Sequence, residues 1–243
     1  MSQVTTQGVG ERGSECGTAC ESGRGGARRL GEGCAVVVLA GGRARRFGSD
    51  KLRADLGGAA LIDRALTGVR AALPGAVVIA VGPAPDGPGL VPHVRWVREA
   101  PPGGGPVAAL AAALAVLSPG SRVVLVVAGD APFAGSALPR LTSALAGDLV
   151  GGRLGGARLG RDAPDGVVAV DHDGRRQPLL AAYREQALRA AVGAAPAAGR
   201  SMRDVIARLE LSSLSITNRE AFDVDLVEEL VTAAALLDQD GGP

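Results

Sequence analysis

The chain has 243 residues, of which 47% are apolar and only 2% aromatic, and its formal net charge is +1. This length accommodates one large domain or two small ones, with a core built mainly from Ala, Val and Leu. The scarcity of aromatic side chains argues against single-stranded nucleic-acid binding. The small net charge argues against binding to DNA or to anionic membranes. The chain also lacks an apolar run of roughly 18 residues, which argues against a membrane span.

The first 33 residues differ from the rest of the chain. They are rich in Gly, Ser, Thr, Glu and Arg and show no periodicity, which predicts a disordered head over residues 1–33. We predict one folded domain over residues 34–238 and a short tail over 239–243. The cysteines are Cys16, Cys20 and Cys34. An odd number of cysteines without a disulfide framework indicates a reducing compartment, and we therefore expect a cytoplasmic protein.

Strands and helices alternate from Ala35 onward. The run Ala35–Ala40 is continuously apolar, which is typical of a strand buried on both faces. The predicted elements that follow are helix Ala60–Leu73, strands Ala76–Val81 and Val94–Val97, helix Val107–Leu117, strand Arg122–Ala128 and helix Ser136–Leu145. This order predicts βαβ units and an α/β, three-layer Rossmann-like fold with a mostly parallel sheet.

The later part of the chain breaks the alternation. A short apolar run before Asp173-Gly174 and a short polar run after it predict a small antiparallel hairpin region. The other elements predicted here are a helix Leu179–Val192 opened by Pro178, a helix started by Ser201-x-x-Asp204, an edge strand Ser213–Thr217 and a closing helix Asp225–Leu237.

A glycine pair with clustered cations follows the first strand. Gly41 and Gly42 allow a sharp turn that brings backbone N–H groups close to an anion. Four cations lie within nine residues, namely Arg43, Arg45, Arg46 and Lys51. Ligands of open α/β sheets bind at the carboxyl edge of the strands, so this cluster suits a polyphosphate. Neither of the two common Gly-rich phosphate fingerprints matches the loop, and a tight turn with solvated arginines is the alternative.

Carboxylates are predicted at the same sheet edge. Asp130 follows the strand Arg122–Ala128, where it is suited to bind Mg²⁺; the alternative is a helix cap. Asp223 and Asp225 are separated by one residue, so their side chains point the same way if the segment is extended. This arrangement suits a second metal ligand; the alternative is an acidic helix start. The loop Pro101–Pro106 leads into a helix and is suited to hold an anion or a base, or else is a flexible connector.

These residues resemble the signature motifs of the molybdenum cofactor guanylyltransferases. The first motif runs from Leu39-Ala40-Gly41-Gly42 to Asp50-Lys51, with Phe47 where the family usually has Met. Four further segments resemble the family in the same order: Gly105–Leu110, Gly129–Phe133, Gln177–Arg184 and Phe222–Leu230. The first motif marks the wider nucleotidyltransferase superfamily, whereas the Gln-Pro-Leu segment narrows the resemblance to the molybdopterin branch. Ala80 replaces a frequent family Asn, and Leu226-Val227 replaces Thr-Pro.

The resemblance implies transfer of GMP from GTP to molybdenum-molybdopterin with release of pyrophosphate, Mg²⁺ as cofactor, and molybdoenzymes or their chaperones as partners. It implies catalytic roles for Lys51, Arg46 and Asp130, and metal binding by Asp130 and Asp225. The nucleotide residues implied are Leu39, Ala40, Gly41, Gly42, Lys51, Ala80, Glu99 and Asp130. The pterin residues implied are Gln177, Pro178, Tyr183, Arg184 and Ser201. The alternatives are a cytidylyltransferase, or another nucleotidyltransferase of the superfamily, and a non-catalytic nucleotide- or pterin-binding module.

Overall fold

A computed structural model describes residues 31–41, 47, 50–85, 91–118, 121–150 and 163–239, excluding the side chains of 147–150. These residues form a seven-stranded sheet in the order β3-β2-β1-β4-β6-β5-β7. The strands are β1 Cys34–Leu39, β2 Val77–Val81, β3 Val94–Val97, β4 Val123–Ala128, β5 Gly166–Val170, β6 Arg176–Arg184 and β7 Leu211–Ser215. Strand β6 is antiparallel to β4 and β5, and the other pairings are parallel. The predicted fold class is confirmed, including the small antiparallel region.

Helices cover both faces of the sheet. They are α1 Leu61–Ala72, α2 Pro106–Val116, α3 Leu138–Val150, α4 Glu185–Gly193, α5 Met202–Ile206 and α6 Glu229–Asp238. Alternate residues of β1 pack on opposite sides, because side chains of a strand alternate between its two faces. One face packs against α1 and α3, and the other against α2, α4 and α5. No helix in the described part of the chain is long and apolar enough to cross a membrane.

A third apolar cluster lies beyond the sheet edge. Phe47, Leu56, Phe133 and Val224 are buried there against one side of α6. This cluster attaches the closing segment of the chain to the start of α1 and to the turn after β4. It therefore brings residues near the carboxyl terminus to the same edge as the first strand.

Two predicted elements in the second half of the chain are wrong. Residues 179–184 belong to strand β6, and only Glu185–Gly193 is helical. The run is apolar enough for either structure, and pairing with both β4 and β5 decides in favour of a strand. The closing helix begins at Glu229 and not at Asp225. The edge strand is confirmed but begins at Leu211, two residues before its predicted start.

The register of the parallel strands places the carboxyl ends of β1, β2 and β4 side by side. Leu39 at the end of β1 pairs with Val81 of β2 and Ala128 of β4. The backbone ladder continues one residue further, because Ala40 donates its N–H to Val81 at 2.8 Å and Gly129 donates to Leu39 at 3.0 Å. Since β6 runs in the opposite direction, its amino-terminal residues reach this same edge. The described residues that directly follow β1, β2, β3 and β4 therefore lie at the same sheet edge as the start of β6.

Candidate active site

A cavity of about 860 Å³ opens at the carboxyl edge of the sheet. Its volume lies within the usual range for small-molecule sites. The wall brings together residues from six separate chain segments, including Gly41, Glu99, Asp130, Gln177 and Asp223. Gly41, Glu99 and Asp130 follow strands and Gln177 lies at the start of one, so the sheet fixes their relative positions, whereas Asp223 belongs to the segment between β7 and α6.

Lys51 lies between two carboxylates beside this cavity. Its Nζ atom is 2.7 Å from Asp130 Oδ2 and 2.8 Å from Asp225 Oδ1. Lys51 begins a 3-10 helix whose cap is Asp50, which accepts a hydrogen bond from the backbone of Leu52. The lysine side chain is only 13% exposed, compared with 65% for Asp225, so its ammonium group is held inside a partly desolvated cluster.

The closing segment delivers Asp223 and Asp225 through the residue between them. Val224 is fully buried and donates its backbone N–H to the carbonyl oxygen of Asp130 at 3.0 Å. The two flanking aspartates therefore lie beside the turn after β4. Glu229 accepts hydrogen bonds from the backbone of Asp225 at 2.6 Å and Leu226 at 2.8 Å, which fixes the entry into α6.

The charges of this cluster alter two pKa values. Burial opposes the charged form of Lys51, but hydrogen bonds to Asp130 and Asp225 outweigh it and raise the pKa of Lys51. Desolvation, and next the negative charges of Asp130 and Asp225, raise the pKa of the Asp223 carboxyl. Two of these three carboxylates contact the single lysine, so within this cluster of described residues a further cation would neutralise negative charge that Lys51 leaves unbalanced.

The carboxylates fit a divalent metal ion. Among the described residues, no set of three or more His, Cys, Asp or Glu side chains is arranged as a complete metal site. Mg²⁺ does not require one, because it is commonly held by one or two carboxylates with phosphate oxygens and water. Asp130 and Asp225 already converge on a single cation, the Lys51 ammonium group. Their hard oxygen ligands suit Mg²⁺ bound together with a polyphosphate.

Glu99 lies in the part of the cavity formed by the glycine-rich loop. Its Oε1 atom accepts a hydrogen bond from the backbone N–H of Gly103 at 2.9 Å. Its Oε2 atom is buried and has no hydrogen-bond partner within the described ranges. A buried carboxylate oxygen without a partner is costly, so a ligand that donates a hydrogen bond is favoured here. The Gly103–Gly105 backbone and Pro106 form the adjacent wall.

Some of the other residues implied by the resemblance line the cavity or lie beside it, and two lie outside the described residues. Leu39, Gly41, Gln177 and Pro178 line the cavity. Ala40 is buried and extends the β1 backbone ladder beside it. Gly42 and Arg46 lie outside the described residues, as do Arg43 and Arg45.

Besides Ala40, Lys51 and Asp225, which lie next to the cavity, four residues implied by the resemblance do not line it. Ala80 is fully buried against the α1 side of the sheet, since its position in β2 points its side chain into the core. Tyr183 is also fully buried, and its hydroxyl donates to the Pro178 carbonyl oxygen at 2.9 Å. Arg184 ends strand β6 and pairs with Val123 at the opposite end of β4, away from the cavity.

Ser201 is the fourth of these residues. Its hydroxyl is 2.9 Å from Asp204 Oδ2, and its backbone N–H donates to the same oxygen at 2.9 Å, which completes the capping box of α5. The preceding loop does approach the cavity wall, since Gly199 donates its N–H to the Gly104 carbonyl oxygen at 2.8 Å. Ser201 therefore shapes that loop through its cap.

Two charged residues of the cavity were not predicted. Arg98 lines the wall next to Glu99. Its position directly after a predicted strand is the sequence feature that could have identified it as a site residue. Glu220 is buried, and it accepts hydrogen bonds from Arg140 at 2.6 Å and from the Thr217 backbone at 2.8 Å. Its partners come from α3 and from the turn after β7, so no local sequence pattern identifies it.

Comparisons with known proteins point to one family. Residues 36–213 match the model of the MobA-like NTP transferase domain. A probable molybdenum cofactor guanylyltransferase from Chloroflexus aggregans is 33% identical over 155 residues, which are 63% of this chain and 66% of that protein. A molybdenum cofactor guanylyltransferase from Sinorhizobium fredii is 37% identical over 118 residues, 46% of this chain and 53% of that protein. The alignments therefore span about two thirds and about half of these relatives.

Solved structures share the fold at lower identity. Molybdopterin-guanine dinucleotide biosynthesis protein A from Archaeoglobus fulgidus superimposes with a TM-score of 0.56 at 20% identity, over 84% of this chain and 99% of that one. A 4-diphosphocytidyl-2C-methyl-D-erythritol synthase from Anaerococcus prevotii superimposes with a TM-score of 0.58 at 14% identity, over 86% and 99%. At these identities the likeness describes the fold alone.

Proposed function

The chain belongs to the family of MobA-like NTP transferase domains, and from this premise we propose that it transfers GMP from GTP to a molybdopterin. The observation that carries the proposal is the cluster of Lys51, Asp130 and Asp225 beside the cavity. Both curated relatives are molybdenum cofactor guanylyltransferases by name. The proposed setting is the cytoplasm, in agreement with the interpretation of the three cysteines.

The proposed reaction joins two phosphates. An oxygen of the molybdopterin phosphate attacks the α-phosphorus of GTP, a new P–O bond forms, the α–β bridging bond breaks, and pyrophosphate leaves. The attacking phosphate is already ionised at neutral pH, so positioning and charge neutralisation dominate catalysis. Bound Mg²⁺ would supply positive charge to the phosphates, with Asp130 and Asp225 as its protein ligands.

Lys51 has two roles in this proposal. Without ligands its ammonium group neutralises Asp130 and Asp225. Asp130 and Asp225 would hold a metal ion, and the Lys51 ammonium group would then be available to contact phosphate oxygens that gain charge during transfer. Its raised pKa keeps it charged throughout the neutral range.

Glu99 favours guanine as the base. Its unpartnered buried oxygen is an acceptor, and the guanine edge presents two neighbouring kinds of N–H donor, whereas cytosine presents one. Cytidylyl transfer is the second candidate, since the same fold occurs in a cytidylyl enzyme. A non-catalytic binding module is the third, and it predicts nucleotide binding without pyrophosphate release.

The test compares nucleotides. The protein is incubated with molybdopterin, Mg²⁺ and either GTP or CTP, pyrophosphate release is followed, and the pterin product is identified by mass. We expect release with GTP and formation of the guanine dinucleotide. Release with CTP alone would establish the cytidylyl reaction instead, and binding without release would establish the non-catalytic module.

A further inference from the structure

A neighbour outside the cavity fixes the side chain of Gln177. Gln177 lines the cavity, and its Nε2 atom donates to Asp171 Oδ2 at 2.8 Å. The nitrogen and oxygen of a carboxamide have nearly the same shape, so hydrogen-bond partners determine which way it faces. An ionised carboxylate accepts hydrogen bonds and donates none. The amide nitrogen of Gln177 must therefore face Asp171, and its carbonyl oxygen remains for other partners.

Asp171 is itself held in place by the hairpin turn between β5 and β6. Its Oδ1 atom accepts backbone N–H groups from Asp173 at 3.0 Å and from Arg175 at 2.9 Å. The hydrogen bond from the Arg175 backbone, supported by those from Gln177 and Asp173, lowers the pKa of the Asp171 carboxyl. Asp171 is therefore ionised at neutral pH and cannot donate to Gln177.

Strand order separates Gln177 from the base end of the cavity. Strand β6 lies on one side of β4, whereas β1, β2 and β3 lie on the other. Asp130 follows β4, and Glu99 follows β3. A ligand that occupies the Glu99 side therefore leaves the Gln177 side free for a second ligand, with Asp130 between the two.

We propose that Asp171 is a positioning residue that turns the carbonyl oxygen of Gln177 toward the second substrate. This inference rests on the proposed function. The site then offers a hydrogen-bond acceptor, and the substrate must present an N–H group to it. The pyrimidine half of a pterin carries such donors in its amino group and ring N–H, whereas its phosphate end carries only acceptors. Gln177 thus selects the pterin ring and its orientation.

The substitution Asp171→Asn tests this orientation with little change of shape. The asparagine Oδ1 atom still accepts the two backbone N–H groups of the turn, so its Nδ2 group must face Gln177. The Gln177 carboxamide then inverts and presents N–H groups to the substrate. We expect the KM for molybdopterin to rise about tenfold, as for a lost hydrogen bond with a mismatched partner, while the KM for GTP changes less than about twofold. Asp173→Asn is the matched control, because Asp173 lies in the same turn and pairs only with His172 and Arg175 through its side chain in the described structure.

A double-mutant cycle separates positioning from a structural role. In a Gln177→Leu background no carboxamide remains to orient, so Asp171→Asn should change the KM for molybdopterin less than about twofold. An unchanged KM in the single variant Asp171→Asn, or an equal rise in both backgrounds, would overturn the proposal. Molybdopterin binding measured by its fluorescence gives the same comparison without turnover. A wild-type protein that binds molybdopterin but transfers nothing from GTP would refute the proposed function and leave this comparison intact.

Discussion

Replacing Lys51 with alanine removes the cation that Asp130 and Asp225 share. In the proposed reaction this ammonium group stabilises phosphate oxygens whose charge grows in the transition state. Removing one such contact costs about 3 kcal/mol, which lowers the transfer rate on the order of 10²- to 10³-fold. We expect this loss in kcat, measured by pyrophosphate release at saturating GTP and molybdopterin.

The same change should affect stability far less. Asp225 is 65% exposed, so water screens its pair with Lys51 strongly, whereas the pair of Lys51 with Asp130, at 13% and 24% exposure, is screened less. Exposed pairs contribute about 0.2–1 kcal/mol each, which predicts a loss of roughly 1 kcal/mol and a decrease in Tm of a few degrees. The raised pKa of Lys51 means that its contribution is fully present below its unfolded pKa and disappears only as the pH rises through the folded value. The loss should therefore be constant between about pH 6 and 9.

Arg53→Ala is the matched control for Lys51→Ala. Arg53 belongs to the same 3-10 helix, is 38% exposed and only approaches Asp50 at 4.0 Å. It should retain wild-type transfer. Transfer by Lys51→Ala within tenfold of the wild-type rate would refute the catalytic assignment, and unfolding of Lys51→Ala in the circular dichroism spectrum would show a structural role instead.

Three further predictions concern residues that support the site. Glu220→Ala should lower the free energy of unfolding by about 2 kcal/mol in urea titrations, since it removes a buried charged acceptor whose arginine partner is 46% exposed. Burial opposes ionisation of Glu220, but hydrogen bonds from Thr217 and Arg140 hold its pKa below the usual range, so its contribution is present at neutral pH and lost as the pH falls through the folded value. Tyr183→Phe should cost about 1 kcal/mol of stability and leave the KM for molybdopterin unchanged; a large KM change would place Tyr183 at the substrate. Gly135→Ala should destabilise by about 1–3 kcal/mol, because a Cβ atom there would lie 2.6 Å from the Gly68 backbone, and an unchanged Tm would contradict this packing.

Much of the sheet could be predicted from hydrophobic pattern alone. The run Ala35–Ala40 is apolar throughout, as is Arg122–Ala128 after its first residue, and the strands found there are buried on both faces. Because parallel strands end at one edge, their following residues were expected to meet. The cavity beside Gly41 and Asp130 lies at that edge.

The errors arose where tertiary contacts decide the structure. The segment 179–184, which is apolar up to Tyr183, is short enough to be helix or strand, and only its partners β4 and β5 settle which. Ala80 was placed at the site by resemblance, whereas strand alternation turns it into the core. The contact between Lys51 and Asp225 joins residues 174 positions apart, and no local pattern encodes it.

The central claim is tested most directly by following the α-phosphorus of GTP. GTP labelled at that atom is incubated with the protein, molybdopterin and Mg²⁺, and the pterin product is separated and counted. The account predicts that label enters the pterin product in equal amount to the pyrophosphate released, and that the Lys51→Ala protein incorporates almost none. Label that stays in GTP or appears as free GMP, with no labelled pterin, would contradict it.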